Sequence, residues 1–261
     1  MDRTRGETLF LYYILMELEH SHGPEGIFDR RFLFCERLAK GFSLDELITQ
    51  CTFCGAYFAV CCQHQTSSGE FPCHDFKLIF IDGACSNNGR ADATAGIGIV
   101  MGGSETDQWS ILIDDTLDPG AEKTSQRAEL LAALQGLEKL RMQHFETEEE
   151  RYHNEKRHKL QTLKTRNTRG DTSPVTGPRW IIASDSEYVV LGMTEWLPKW
   201  KTKGMRTSRG KRPVNFDLYL KLDEAVSSVE KEGIDVGFWI IPRKLNKADE
   251  LAKKAIRVIT F

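Results

Sequence analysis

An α/β fold is predicted by three features of this sequence. Five short apolar runs have the β-branched content of strands, the later runs alternate with segments of helical period, and acidic residues stand where strands stop and helices start. The clearest strand is KLIFI, Lys77 to Ile81. Asp82, Gly83 and a small polar stretch ending at Gly89 follow it and are expected to close the strand in a turn.

The bulk composition sets the frame for the remaining elements. With 261 residues, 40% hydrophobic and 28% charged, the chain can bury a core and is large enough for one large domain or a medium domain with an appendage. A formal charge of −3 does not advertise a nucleic-acid partner, but that average hides any local asymmetry. The apolar run Leu9 to Met16 is too short for a bilayer and is flanked by acids, with no cleavage site after it. The expectation is an intracellular protein, nuclear or cytoplasmic, neither secreted nor membrane-bound. Seven cysteines, an odd number, favour reduced thiols or metal ligation over a disulfide framework.

Residues 1–75 form an opening Cys-rich section. Glu7 to Glu19 and Phe28 to Lys40 are expected to be helical or mixed, and Ser43 with Glu46 three residues on predicts a capped helix start. Cys51 and Cys54 have the spacing by which two thiolates reach one zinc ion. Cys61, Cys62, His64, Cys73 and His74 offer the remaining ligands, so Cys51, Cys54, His64 and Cys73 are one candidate structural zinc set.

From Phe76 the pattern changes to strands. Ala95 to Met101 is the second, with glycines that let another backbone approach, and Trp109 to Ile113 is the third, so that an antiparallel meander is expected. A helix capped by Thr124 or Ser125 then runs to about Arg141, with Ala133, Leu130, Leu134 and Leu137 on one stripe and Glu129 beside it. The segment at about 144–178 reads as an insertion, first a charged helical extension and then a disordered Thr/Arg/Gly/Pro stretch. Trp180 to Ser184 is a buried strand ending in Asp185. Between Glu195 and Asp217 there is no acid against seven cations, interleaved with Trp196 and Trp200, which favours contact with a phosphate backbone. An amphipathic helix over Asn215 to Lys231, a strand over Asp235 to Ile241 and a helix over Asn246 to Ala255 with Asp249 in its first turn complete the chain.

Asp82, Glu129, Asp185 and Asp249 thus stand at strand ends and helix starts. Carboxylates brought together stay ionised only with cations among them, and two magnesium or manganese ions suit an all-oxygen donor set. The motifs DGACSNNG, TSQRAEL, SDSEYV, the segment from Trp196 to Ala225 and NKADELAKKA occur in the order of the ribonuclease H type 1 family, which residues 76–261 resemble. The resemblance implies a five-stranded mixed sheet flanked by helices. It also implies two-metal hydrolysis of the RNA strand of an RNA–DNA hybrid. A monomer is expected. It assigns the metal ions to Asp82, Glu129, Asp185 and Asp249. Asn88 and Gln126 match minor-groove and 2′-hydroxyl readers, Thr124 and Asn215 a DNA-phosphate pocket, and Trp200, Lys201 and Lys203 a basic protrusion against the DNA strand. The loop Ile241 to Asn246 lacks the histidine that family members usually carry there, so slower turnover is expected. A non-catalytic hybrid-binding protein on the same fold is the alternative.

Overall fold

The computed structural model describes residues 25–62, 74–161 and 178–257, with the backbone alone for 145–161. Its centre is β5 (Phe76–Ser86), which pairs in parallel with β8 (Arg179–Ser184) over Phe76 to Phe80 and antiparallel with β6 (Thr94–Val100) over Phe80 to Ser86. β7 (Gln108–Leu112) adds to β6, and β9 (Asp235–Ile240) adds in parallel to β8. These five strands are the expected mixed sheet. β5, however, does not stop at Ile81. Gly83 to Ser86 are poor strand formers, yet each has a ladder partner on β6, as far as Ser86 opposite Thr94. Pairing overrides local propensity here, and Asp82 lies within the strand, just beyond the last residue that pairs with β8.

Four short strands extend this sheet to nine. β1 (Gly26–Phe28) and β2 (Arg31–Leu33) form a hairpin whose turn residues, Asp29 and Arg30, both have positive φ, as a primed turn requires. β2 docks on β9, and the Arg30 guanidinium anchors the hairpin by donating to Asp223, Ser227 and Glu230. β3 (Ile48–Gln50) and β4 (Tyr57–Ala59) form a second hairpin, with Tyr57 and Phe58 paired to Leu78 and Lys77 on the edge of β5 that β6 leaves free. The helical reading of Phe28 to Lys40 therefore holds only for α1 (Glu36–Gly41). The Ser43–Glu46 contact forms, the Glu46 carboxylate accepting from the Ser43 N–H at 2.8 Å, but no helix follows. Leu47 instead turns inward against Cys35 and Leu38, and the chain enters β3.

The helices are α2 (Ser125–Gln161), α3 (Glu187–Leu191), α4 (Leu197–Thr202), α5 (Phe216–Lys231) and α6 (Asp249–Arg257), with a π-helical turn at Gly192–Trp196 joining α3 to α4. α2 runs without a break through the first part of the expected insertion, whereas 162–177 fall outside the described residues. Strand alternation divides the core. Ile79 and Ile81 face α2 and α5 with Leu130, Leu137 and Leu222, while Leu78 and Phe80 face Phe32, Ala59, Trp239 and Ala248. The N-terminal strands and α6 thus cover the second face of the sheet. Among the described residues no helix is long and apolar enough to cross a membrane.

Candidate active site

Asp82 lies on the α6 side of β5 and is only 3% exposed. Gly83, the next residue, permits the close approach of α2. A Cβ there would meet the Glu129 backbone nitrogen at 2.3 Å and the Ala128 carbonyl carbon at 2.5 Å. On β6, a Cβ at Gly98 would meet the Ala248 oxygen at 2.2 Å, so α6 reaches the sheet through a second glycine gap. Asp185 follows the end of β8, and its Oδ1 accepts from Asn246 Nδ2 at 2.5 Å. The same amide donates to the Ile81 carbonyl at 3.0 Å, while Asn246 Oδ1 accepts from the Ala248 N–H. Asn246 therefore ties β5, the end of β8 and the entry to α6 together.

All four predicted acids interact. Burial raises the Asp82 carboxyl to about 7, helped by the negative charges of Asp185 and Asp249 and by a hydrogen bond with Asp185, with Arg243 opposing. Burial, followed by the charges of Asp82 and Asp185, also holds Glu129 well above the usual carboxylate range. Glu129 accepts one backbone N–H, from Gly83, but its Oε2 is buried with no hydrogen-bond partner. For Asp249, burial works against ionisation but is outweighed, and the group lies below its ordinary value because Lys253 and Arg243 donate to it. The Arg243 Nη2 to Asp249 Oδ1 distance is 2.6 Å. A buried acceptor with no partner and a desolvated acid among like charges fit a divalent cation. The donor set is all oxygen, which fits Mg²⁺ or Mn²⁺.

Arg243, Lys253 and Asn246 escaped the sequence reading. Their only signal is proximity to Asp249 in the run Arg243 to Lys253, which also holds unrelated surface charges.

The expected nucleic-acid contacts divide into two groups. Thr124 and Asn215 converge on Arg127, Thr124 Oγ1 accepting from its N–H at 3.2 Å and Asn215 Oδ1 from its Nη1 at 3.3 Å. Asn215 holds a left-handed backbone (φ 54°) to do so. Arg127 is itself fixed by Asp118 and Asp217. Asn88 Oδ1 accepts the Ser125 N–H at 2.8 Å, which brings the loop after β5 beside the start of α2 and next to exposed Gln126. Trp200 is half-buried against Phe216 and Tyr219, and exposed Lys201 pairs with Asp223 at 2.6 Å. Lys203 remains exposed in the basic segment.

Of the candidate zinc ligands, Cys51 and Cys54 meet His74, while His64 and Cys73 lie outside the described residues.

No family model matches the chain. It is 26% identical over 185 residues to "Ribonuclease H1" of Mus musculus, covering 69% of this chain and 50% of that protein. It is 25% identical over 188 residues to "Ribonuclease H1" of Homo sapiens, covering 70% and 51%. The chain thus spans about half the length of these mammalian relatives. Against "Ribonuclease H" of Pseudomonas aeruginosa (strain UCBPP-PA14) it is 29% identical over 180 residues, covering 69% of this chain and 92% of that one. Among solved structures, a foamy viral protease-reverse transcriptase in complex with RNA/DNA hybrid overlaps at a TM-score of 0.46 with 17% identity, covering 75% of this chain and 22% of that one. The solution structure of the PFV RNase H domain overlaps at 0.41 with 21% identity, covering 69% and 94%. Both overlaps are too slight to argue from. In its sequence relatives, and in the five-stranded mixed sheet with its flanking helices, the chain resembles the ribonuclease H type 1 family.

Proposed function

We propose that this chain hydrolyses the RNA strand of RNA–DNA hybrids with two divalent cations held by Asp82, Glu129, Asp185 and Asp249. The observation that carries the reading is the buried, partnerless Glu129 Oε2 beside an Asp82 whose carboxyl sits at about 7. Neither arrangement has a structural use in a cation-free fold. Bound cations would supply charge compensation among the acids and polarise a phosphodiester for attack by water. The chain's own residues do the rest. Asn246 fixes Asp185, and the glycine gaps at Gly83 and Gly98 bring Glu129 and Asp249 to the strand that bears Asp82. Asn88, in the loop after β5, and Gln126, at the start of α2, would meet the 2′-hydroxyls that distinguish RNA from DNA. Thr124, Asn215 and Arg127 would hold a phosphate of the other strand.

Arg243 and Lys253 favour a second reading. Both cations already neutralise Asp249, and the loop carries Arg243 and no histidine. A protein that binds hybrids without cutting them is compatible with that pairing. The test is the purified chain on an end-labelled hybrid with Mg²⁺ or Mn²⁺. Cleavage that Asp82→Asn abolishes supports the nuclease. No cleavage with either metal, or cleavage indifferent to that substitution, overturns it, and tight binding without cleavage establishes the second reading.

A further inference from the structure

The turn between β3 and β4 is built around sulfur. Cys51 closes it, its N–H donating to the Ala56 carbonyl and its carbonyl accepting from the Gly55 N–H, both at 2.9 Å. Gly55 makes the return possible with φ 72°. Inside this turn the Cys51 sulfur accepts the backbone N–H groups of Cys54 and Phe53, and the Cys54 sulfur accepts that of Ala56. The turn thus aims backbone amides at both sulfurs and holds them side by side. His74 arrives from elsewhere in the chain, two residues before β5, and hydrogen-bonds Cys51. Its ring is stacked on Phe58 of β4 with centroids 4.2 Å apart, so packing fixes the imidazole's direction.

The ligand atoms of Cys51, Cys54 and His74 all lie within 4.8 Å of one another. A tetrahedral zinc ion with Zn–S near 2.3 Å wants its ligands about 3.8 Å apart, so sub-ångström settling would close the site. We propose that Cys51, Cys54 and His74 bind a zinc ion that clamps the β3–β4 turn to the start of β5, with the fourth position taken by a donor beyond these three. Two thiolates and an imidazole select zinc over the magnesium or manganese of the acid cluster. The clamp matters because β4 pairs with β5 through Tyr57 and Phe58, and β5 carries Asp82 four residues beyond that pairing. A second group, Glu25, Cys35 and Cys62, is equally compact but already satisfied internally. The Glu25 carboxylate accepts the Cys62 N–H at 3.0 Å, and the Cys62 thiol hydrogen-bonds Glu25 and Cys35.

The test is metal analysis of the full chain, purified anaerobically under reductant without chelator. One equivalent of zinc is expected in the wild type and in Cys62→Ser, and background levels in Cys54→Ser and His74→Ala. Cobalt exchange into the wild type, which requires no variant to fold, should give the visible bands of a tetrahedral site with sulfur-to-cobalt charge transfer. Zinc retained by both ligand variants, a wild type with neither zinc nor a tetrahedral cobalt spectrum, or a Cys51–Cys54 disulfide in the freshly purified chain would overturn the proposal.

Discussion

Asp82→Asn should stabilise the metal-free protein at alkaline pH while abolishing cleavage. The Asp82 carboxyl titrates at about 7 in the fold, against 3.8 for the free group. Between those values the folded chain holds a proton that the unfolded chain has released, so stability is greatest below about pH 4 and is lost as pH rises through 7. Roughly three units at about 1.4 kcal/mol each gives an upper bound of about 4 kcal/mol. Water penetration and relaxation leave about 2 kcal/mol as the working figure. Asparagine removes that repulsion and retains the shape, so at pH 8 in EDTA the variant should melt higher by about 4–8 °C. Below about pH 4 the two proteins should melt together. Calorimetric or dichroism melts across this range read the effect directly. Added Mg²⁺ should raise the wild-type midpoint at pH 8 and raise the variant's less. A variant that melts lower at pH 8 without metal, or a difference that does not depend on pH, would refute the account of the acid cluster.

Further outcomes follow from the same geometry. Gly83→Ala should cost about 3 kcal/mol, read by urea denaturation, because its Cβ meets three backbone atoms of α2 that cannot move aside separately. Arg243→Ala should lower the Mg²⁺ concentration needed for half-maximal cleavage, because it frees an Asp249 oxygen from a competing cation; an unchanged or higher requirement would show that Arg243 does not compete. Arg127→Ala should destabilise by about 3 kcal/mol through the buried Asp118 it leaves unpaired, and should weaken hybrid binding by loosening Asn215. Titrating Mg²⁺ near pH 7 in buffers of different ionisation enthalpy should reveal proton release, since Asp82 is half protonated there before the cation enters.

The sequence made the central strands and the four acids legible because each signal was local. Lys77 to Ile81 and Trp180 to Ser184 are dense β-branched runs, and Glu129 is an odd carboxylate beside a leucine stripe. What stayed hidden depends on partners far along the chain. The strand character of Gly83 to Ser86 exists only because β6 pairs with it. β1 to β4 are three residues each, too short for any periodicity, and become strands only where β5 and β9 offer an edge. Arg243 carries no local signal of its role, because only the fold puts it against Asp249.

The two-sided use of β5 gives these misses a common cause. Residues of one parity, Leu78 and Phe80, rest on the N-terminal section and α6, and Asp82 continues that side. Residues of the other parity, Ile79 and Ile81, rest on α2, and Gly83 continues that side to admit Glu129. One strand therefore presents an acid on one face and a gap for an acid on the other. Burying both faces is what desolvates the pair. A sheet with its second face open to water would leave Asp82 hydrated and close to its ordinary pKa. N-terminal side chains such as Phe32 and Ala59 bury Leu78 and Phe80, and α6 closes the same side beyond them, so Asp82 continues a face that is already dry.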